Sequence, residues 1–171
     1  NSNLQIIESN AFEESKVKKI FIPSTVTKIC ELAFYRCTNL AKVEIPSNSN
    51  LQIIERFAFY ESNIKEIFIP STVTKICEDA FCDCKNLTKV DIPHNSNLQI
   101  IELCAFCESK IKDFFIPSKV SQIGQEIFFD CKLQIIEISE DSKLDSFPFS
   151  AFLFCSEFII MIPSSLKKLI N

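Results

Sequence analysis

Hydrophobic and polar positions alternate in short segments along this chain. In Val43-Glu44-Ile45, two apolar residues flank a polar one, which is the two-residue period of a half-buried strand. Pro46 follows directly and ends the strand, because proline cannot donate a backbone hydrogen bond to a neighbouring strand. No segment of about 11 residues between successive prolines has the period of an amphipathic helix. The pattern therefore predicts short strands and turns rather than helices.

The same pattern recurs at a fixed interval. The segment NSNLQIIE begins at Asn1, Asn48 and Asn95, so the chain has a 47-residue period. Each period divides into units of 23 and 24 residues that end in an Ile-Pro pair, and seven units can be aligned, of which the last two are degenerate. A unit this short cannot bury its own apolar face, so neighbouring units must stack as the rungs of a solenoid.

An Ala-Phe pair marks the middle of the units. The phenylalanines at this position are Phe12, Phe34, Phe59, Phe81, Phe106, Phe128 and Phe152, with isoleucine replacing alanine before Phe128. Adjacent parallel strands lie about 4.8 Å apart, so we expect the rings to stack as one aromatic column. We also expect one short strand before each Ile-Pro pair, a second short extended piece at LQIIE and VTKIC, and a tight turn or a 3₁₀ turn around Ala-Phe.

These residues carry a family resemblance. The segment IPSTVTKICELAFYRCTNLAKVEIP, residues 22–46, resembles the leucine-rich repeats of the BspA-like or Treponema-type class, with the running signature IP…V…I…AF…C…L…V.IP. The resemblance covers essentially the whole chain and is strongest from Leu4 to Pro117. It implies a leucine-rich repeat solenoid of seven repeats, mostly β, with parallel strands on the concave side and short strands or 3₁₀ turns on the convex side. Family repeats often carry glycine where this chain has Cys30, Cys77 and its single glycine, Gly124.

The resemblance also implies a function. Members of this class are surface or secreted adhesion and recognition proteins of anaerobic bacteria and parasitic protists, so we expect a non-enzymatic module that binds a host cell-surface or matrix protein. We expect residues 1–171 to be one solenoid segment of a longer array, because the chain begins in phase with its repeat and ends abruptly. The alternatives are a structural spacer and an intracellular leucine-rich repeat scaffold.

The concave strand face is the candidate binding site. If Ile20 and Ile22 point inward, Phe21 must point outward, and the same holds on every rung. The predicted contact residues are Phe21, Lys42, Glu44, Glu66, Phe68, Lys89, Asp91, Asp113 and Phe115. Exposed phenylalanines between carboxylates resemble the aromatic anchors of protein-binding surfaces. Alternatively, lysine stems and carboxylates cover these rings, or duplication copied them without a function.

The nine cysteines have several interpretations. One position of the units holds either serine or cysteine, and we expect a small, partly buried turn residue there that acts as a weak donor. Its members are Ser15, Cys37, Ser62, Cys84, Ser109, Cys131 and Cys155. The segments FCDC and CAFC have the spacing of zinc ligand pairs. We expect no metal site, because Cys84 should point inward while Cys82 points away. Cys82 and Cys107 share a position on adjacent rungs about 5 Å apart, which permits a disulfide but does not require one.

Composition restricts the partners further. The chain has 18 basic and 22 acidic residues mixed along its length, so it has no concentrated positive charge that would attract nucleic acid or an anionic membrane. No apolar run approaches the roughly 20 residues that span a bilayer, so we expect no membrane insertion of this segment. The single histidine, His94, replaces a serine in a turn, and no nucleophile elbow, phosphate loop or carboxylate pair occurs. We therefore expect neither an enzyme nor a cofactor.

The last unit is unusually aromatic. The segment LDSFPFSAFLFC contains Phe147, Phe149, Phe152 and Phe154. Of these, Phe147 and Phe152 match positions that we expect to point inward in every unit. The additional apolar surface at this edge is either a terminal cap or a docking face for further repeats. We expect that the isolated segment can self-associate through this edge.

Overall fold

The chain winds as a parallel β-solenoid in which each sequence unit forms one rung. The computed structural model describes residues 3–144 and 146–164. Its strands are β1 (Ile6–Ile7), β2 (Lys19–Phe21), β3 (Lys28–Ile29), β4 (Lys42–Glu44), β5 (Ile53–Ile54), β6 (Glu66–Phe68), β7 (Lys75–Ile76), β8 (Lys89–Asp91), β9 (Ile100–Ile101), β10 (Asp113–Ile116), β11 (Gln122–Ile123), β12 (Ile135–Ile138) and β13 (Ile159–Met161). A 3₁₀ helix spans Phe149–Phe152. The predicted leucine-rich repeat solenoid is confirmed.

Two series of strands run along the solenoid. The odd-numbered strands β1 to β11 pair in order as one six-stranded parallel sheet. The second series, called here the IP strands because most precede an Ile-Pro pair, consists of β2, β4, β6, β8, β10, β12 and β13. The IP strands form three separate groups, β2–β4, β6–β8 and β10–β12–β13. The continuous ladder is therefore on the side where only short extended pieces were expected.

In the first four units, the interruptions coincide with the longer of the two unit lengths. The paired strands β2 and β4 begin 23 residues apart, as do β6 and β8, whereas β4 and β6 begin 24 residues apart and do not pair. The turn from the buried phenylalanine to the Ile-Pro pair is one residue shorter in units of 24 residues, as comparison of residues 34–46 with 59–70 shows. Unit length alone does not decide the pairing, because β12 and β13 also begin 24 residues apart and do pair. In the first four units, the IP strands pair only within each 47-residue period.

Tight turns surround each Ala-Phe pair. In the second rung, Leu32 and Arg36 both adopt positive φ, at 60° and 52°, and the equivalent residues do so in other rungs. Such conformations cost about 1–2 kcal/mol for residues other than glycine. Hydrogen bonds to the next rung hold them in place: the Phe34 N–H donates to the Ala58 carbonyl at 2.7 Å, and the Arg36 N–H donates to the Tyr60 carbonyl at 2.8 Å. Rung stacking therefore fixes a turn that the isolated unit would not favour.

The predicted aromatic column is confirmed. The seven rings from Phe12 to Phe152 stack in sequence, with centroids between 4.9 and 6.2 Å apart. Adjacent rings are within 15° of parallel. The five rings in the middle of the stack are fully buried, and Phe12 and Phe152 are partly buried. Burying one phenylalanine contributes about 1.5–3 kcal/mol, so this column is a major part of the core.

The serine and cysteine position also behaves as predicted. The Cys84 thiol is fully buried and donates to the Phe59 carbonyl of the previous rung at 3.1 Å. Cys131 makes the equivalent bond to the Phe106 carbonyl at 3.2 Å. These thiols also contact the hydroxyl of the serine one rung earlier, at 3.4 Å for Ser62 and Cys84. The position therefore supplies a donor to a backbone carbonyl of the previous rung, and the Phe59 carbonyl accepts from the Ser62 N–H as well, at 3.1 Å.

The last described unit places its aromatic residues on both sides of the backbone. Phe147 stacks on Phe152 at 4.9 Å, and both pack against the core as expected. Phe154 points outward with 76% of its surface exposed. The side chain of Phe149 lies outside what the structure describes. Self-association through this edge stays a prediction.

Candidate functional site

The outward side chains of the IP strands form one surface, called here the outer strand face. It has two columns of residues, which are Lys19, Lys42, Glu66, Lys89, Asp113, Ile135 and Ile159, and Phe21, Glu44, Phe68, Asp91, Phe115, Glu137 and Met161. The residues between the columns, such as Val43 and Ile67, point inward and are buried. All nine residues predicted for contact thus lie on the same face.

The three phenylalanines of this face are not equivalent. Phe21 is 58% exposed, whereas Phe68 and Phe115 are half-buried. The His94 ring contacts Phe115 edge-on at 4.5 Å between centroids. The sequence alone predicted that the three phenylalanines are equivalent copies produced by duplication and that His94 is a surface turn residue without a partner on other rungs. His94 replaces a serine of the other units and covers part of the Phe115 ring, which lies one rung away.

The beginning of the outer strand face is charged and internally paired. The Glu44 carboxylate accepts from Lys42 at 2.8 Å and from Lys19 at 3.0 Å. Hydrogen bonds from Lys42 and then Lys19 lower the pKa of Glu44, so it is ionised at neutral pH. These three groups are exposed to solvent, and their pairing contributes little stability. A partner that binds here must replace these ion pairs with its own charges.

The far end of the face is apolar. Ile135, Ile159 and Met161 are 38%, 64% and 52% exposed, at positions that carry charged or aromatic residues in the earlier units. Ile135 and Met161 line one depression together with Phe115. Carboxylates of Asp113 and Glu137 border the same depression. Sequence reasoning did not select the apolar residues for contact, although their departure from the earlier units was visible in the two columns.

A separate feature lies on the turn that carries Ala-Phe. The structure joins Cys82 and Cys107 by a disulfide, with their Cα atoms 4.7 Å apart. This separation is within the usual range for such a bond, and it follows from the rung spacing. The other seven cysteines are free thiols. Burial raises the pKa of Cys84 to about 12 and the pKa of Cys131 to about 11, so these thiols stay protonated at neutral pH.

Several solved bacterial proteins have a similar fold. The chain is similar to the pneumococcal vaccine antigen PcpA, with a TM-score of 0.74 and 25% identity over 81% of this chain and 36% of PcpA. It is also similar to a leucine-rich cell surface protein of Faecalibacterium prausnitzii A2-165, with a TM-score of 0.59 and 29% identity over 82% of this chain and 44% of that one. A leucine-rich repeat protein of T. pallidum shares the fold, with a TM-score of 0.54 and 24% identity over 78% of this chain and 52% of that one. This chain therefore spans between about a third and about half of these proteins.

The family assignment comes from the repeats themselves. Six copies of the BspA type leucine rich repeat region match residues 5–134 and 86–171. A search of curated proteins finds no match. Within the described residues, no helix is long and apolar enough to cross a membrane. Proteins with this repeat are typically non-enzymatic, and the match indicates no catalytic family. The chain therefore belongs to the BspA-type leucine-rich repeat family.

Proposed function

We propose that this chain is a recognition module of a cell-surface or secreted protein and binds a protein ligand through the outer strand face. The observation that carries the proposal is the exposed apolar surface of Ile135, Ile159 and Met161 beside Phe115. Apolar anchors surrounded by charged groups are typical of protein-binding surfaces. The cell-surface protein of Faecalibacterium prausnitzii supports the location by resemblance. The ligand class is a host cell-surface or matrix protein.

Two parts of the outer strand face have different roles in this proposal. The apolar end supplies the buried centre of the interface, because covering one aliphatic or aromatic side chain contributes about 1.5–3 kcal/mol. The charged end, with Lys42, Glu44 and Glu66, forms the rim and influences the choice of partner and the rate of association. Phe21 is the exposed anchor at the charged end. The alternating carboxylates of Asp91 and Asp113 favour a ligand with basic residues between its apolar groups.

The test uses three variants of the 171-residue chain. The first replaces Phe21, Phe68 and Phe115 by serine. The second replaces the apolar end, with Ile135, Ile159 and Met161 changed to serine. The matched control replaces Leu103, Leu153 and Phe154, which are exposed apolar residues outside this face. Circular dichroism first establishes that all variants are folded.

Binding is then measured against a panel of purified cell-surface and matrix proteins. We expect a ligand of the unchanged chain to bind each face variant at least about tenfold more weakly, because anchor residues carry most of the binding energy. The control should bind as the unchanged chain does. Equal losses in the control and the face variants would contradict a specific role for this surface. Binding of no protein at all would favour a structural spacer.

A further inference from the structure

Two columns of side chains project from the Ala-Phe turns, on the surface that carries the disulfide. One column precedes alanine and contains Asn10, Leu32, Phe57, Asp79, Cys104 and Glu126, and the other follows phenylalanine and contains Glu13, Tyr35, Tyr60, Cys82, Cys107 and Phe129. In the second and third rungs three of the four residues are aromatic, and the rings of Tyr35 and Tyr60 stack at 5.3 Å. In the fourth and fifth rungs the same positions read Asp-Ala-Phe-Cys and Cys-Ala-Phe-Cys. The repeat thus brings potential metal ligands together on two neighbouring rungs.

Backbone hydrogen bonds hold these four residues within their rungs and against the neighbouring rungs. Within the rungs, the Cys82 N–H donates to the Asp79 carbonyl, and the Cys107 N–H donates to the Cys104 carbonyl, each at 3.1 Å. Between the rungs, the Asp79 N–H donates to the Leu103 carbonyl at 3.0 Å. All four side chains line one depression that is open to solvent. The site is therefore accessible to a small ion and its backbone is held rigidly.

The side chains of three of these four residues already converge. A carboxylate oxygen of Asp79 and the sulfur atoms of Cys82 and Cys107 all lie within 4.8 Å of one another. The fourth residue, Cys104, directs its sulfur toward the Glu126 carboxylate, 3.9 Å away. Zinc holds thiolate sulfur at about 2.3 Å and carboxylate oxygen at about 2.0–2.2 Å, so its tetrahedral ligands are roughly 3.5–4 Å apart. The converging atoms need only small side-chain movements to reach this geometry.

The Asp79 carboxylate has no other assigned role. It makes no hydrogen bond or ion pair with any residue in the described part of the chain, and Arg56 pairs with Glu78 instead. Partial burial, and then the neighbouring Glu78, raise the pKa of Asp79. Glu108 and Glu126 line the same depression and add negative potential. Such surroundings favour a bound cation, and two sulfur ligands select a thiophilic ion over magnesium or calcium.

We propose that Asp79, Cys82 and Cys107 bind a zinc ion when the disulfide between the two cysteines is reduced, with water at the fourth position. The expectation of no metal site rested on Cys84, which does point inward, and it left Asp79 out of the ligand set. The Asp79-Ala-Phe-Cys82 spacing was present in the sequence. Its meaning depends on rung stacking, because the third ligand comes from the next unit. This inference is independent of the proposed binding function.

The disulfide and the zinc complex exclude each other, because both use the same two sulfur atoms. A dithiol reductant opens the disulfide when one of its thiolates attacks a cysteine sulfur and forms a mixed disulfide. Its second thiolate then displaces the protein sulfur, so the reductant becomes a disulfide and its two protons end on Cys82 and Cys107. Zinc binding releases these two protons to solvent as the thiolates coordinate the ion. The site is thus a zinc centre in a reducing environment and a covalent link in an oxidising one.

The experiment compares the oxidised and reduced forms of the whole chain. A thiol count verifies that reduction has opened the disulfide, the reductant is removed under argon, and circular dichroism verifies the fold. Zinc binding is then measured by native mass spectrometry, and cobalt replaces zinc to report tetrahedral thiolate ligation by its absorption. We expect one tightly bound ion only in the reduced chain. The oxidised chain keeps the seven other thiols and therefore measures zinc bound elsewhere.

Variants identify the ligands. We expect Asp79→Asn, which keeps the shape of the side chain and the disulfide, to weaken zinc binding by at least about tenfold. Cys82→Ser should remove tight binding, whereas Cys77→Ser, which changes a free thiol of the same unit outside the cluster, should leave it unchanged. If the folded, fully reduced chain bound zinc no more tightly than the oxidised chain does, the proposal would be overturned. Unchanged affinity in Asp79→Asn would overturn it as well.

Discussion

The buried aromatic column and the outer strand face show how the same repeat treats its inside and its outside. Both follow the rungs of the solenoid, yet the inner column has phenylalanine in every unit, from Phe12 to Phe152. The outer column alternates between apolar and acidic residues, from Phe21 through Glu44 to Met161. Inside, each ring is packed between two others, so a change of volume is costly. Outside, substitution has little effect on folding, so this face is free to be adapted to a ligand.

A second buried column shows that alternation alone does not indicate function. The position of Ser62, Cys84, Ser109 and Cys131 alternates with the same 47-residue period, although all four side chains are buried. Duplication of a pair of units is sufficient to produce such a pattern. The case for the outer strand face therefore depends on exposure, and above all on its apolar end, where Ile135 and Ile159 replace the charged residues of the earlier units.

The largest expected effect comes from breaking the inner column. Phe59 is fully buried between the rings of Phe34 and Phe81. We expect Phe59→Ala to reduce the free energy of unfolding by about 3–5 kcal/mol, because it removes core contacts and leaves a cavity. Urea denaturation followed by circular dichroism measures the loss.

The matched control for this prediction is the outer column. Phe21→Ala removes the same ring from a position that is 58% exposed. It should change the free energy of unfolding by about 0.5 kcal/mol or less. Similar losses in the two variants would show that the outer ring packs in solution and is not available to a ligand.

The sequence predicts the inner positions better than the outer ones, for a physical reason. Stacking of identical units requires every rung to bury the same side chains, so the Phe column and the serine and cysteine column follow directly from the repeat. The contact of His94 with Phe115 did not follow, because it joins a residue unique to one unit with the next rung. The broken pairing of the IP strands was also missed, because the pairing depends on the backbone geometry of the turns between units. The convergence of Asp79 with Cys107 equally requires the register between rungs.

The unit position that holds Cys77 and Gly124 extends the comparison, because close contact with the backbone of another rung limits the side chain at Gly124. At Gly124, an added Cβ would lie 2.4 Å from the Leu103 nitrogen and 2.5 Å from the Glu102 carbonyl carbon. We expect Gly124→Ala to reduce the free energy of unfolding by about 1–3 kcal/mol, because the backbone of two rungs must separate. Thermal or urea unfolding measures the change. Cys77→Ala is the matched control, since it alters the equivalent position of another unit that already has a Cβ; an equal loss there would contradict the clash.

The smallest effect concerns the buried thiols and depends on pH. Burial raises the pKa of Cys84 from about 9 in the unfolded chain to about 12 in the fold. Because the folded state keeps the proton, this group contributes its full stability below about pH 9 and loses it as the pH rises toward 12. Cys84→Ser introduces the residue that other units already have at this position, and it removes the titrating group.

We therefore expect the unchanged chain to lose about 1–2 kcal/mol more stability than Cys84→Ser between about pH 8 and pH 10.5. Urea denaturation at a series of pH values measures the difference. Cys155→Ser, at the half-buried end of the same column, should show a smaller effect because its pKa is raised less by burial. Parallel pH profiles for the unchanged chain and Cys84→Ser would mean that water reaches this position. The interior of the solenoid would then be partly accessible to water, although the stacked rings indicate a dry core. The inner and outer columns would then differ less in solvent exposure than the structure shows.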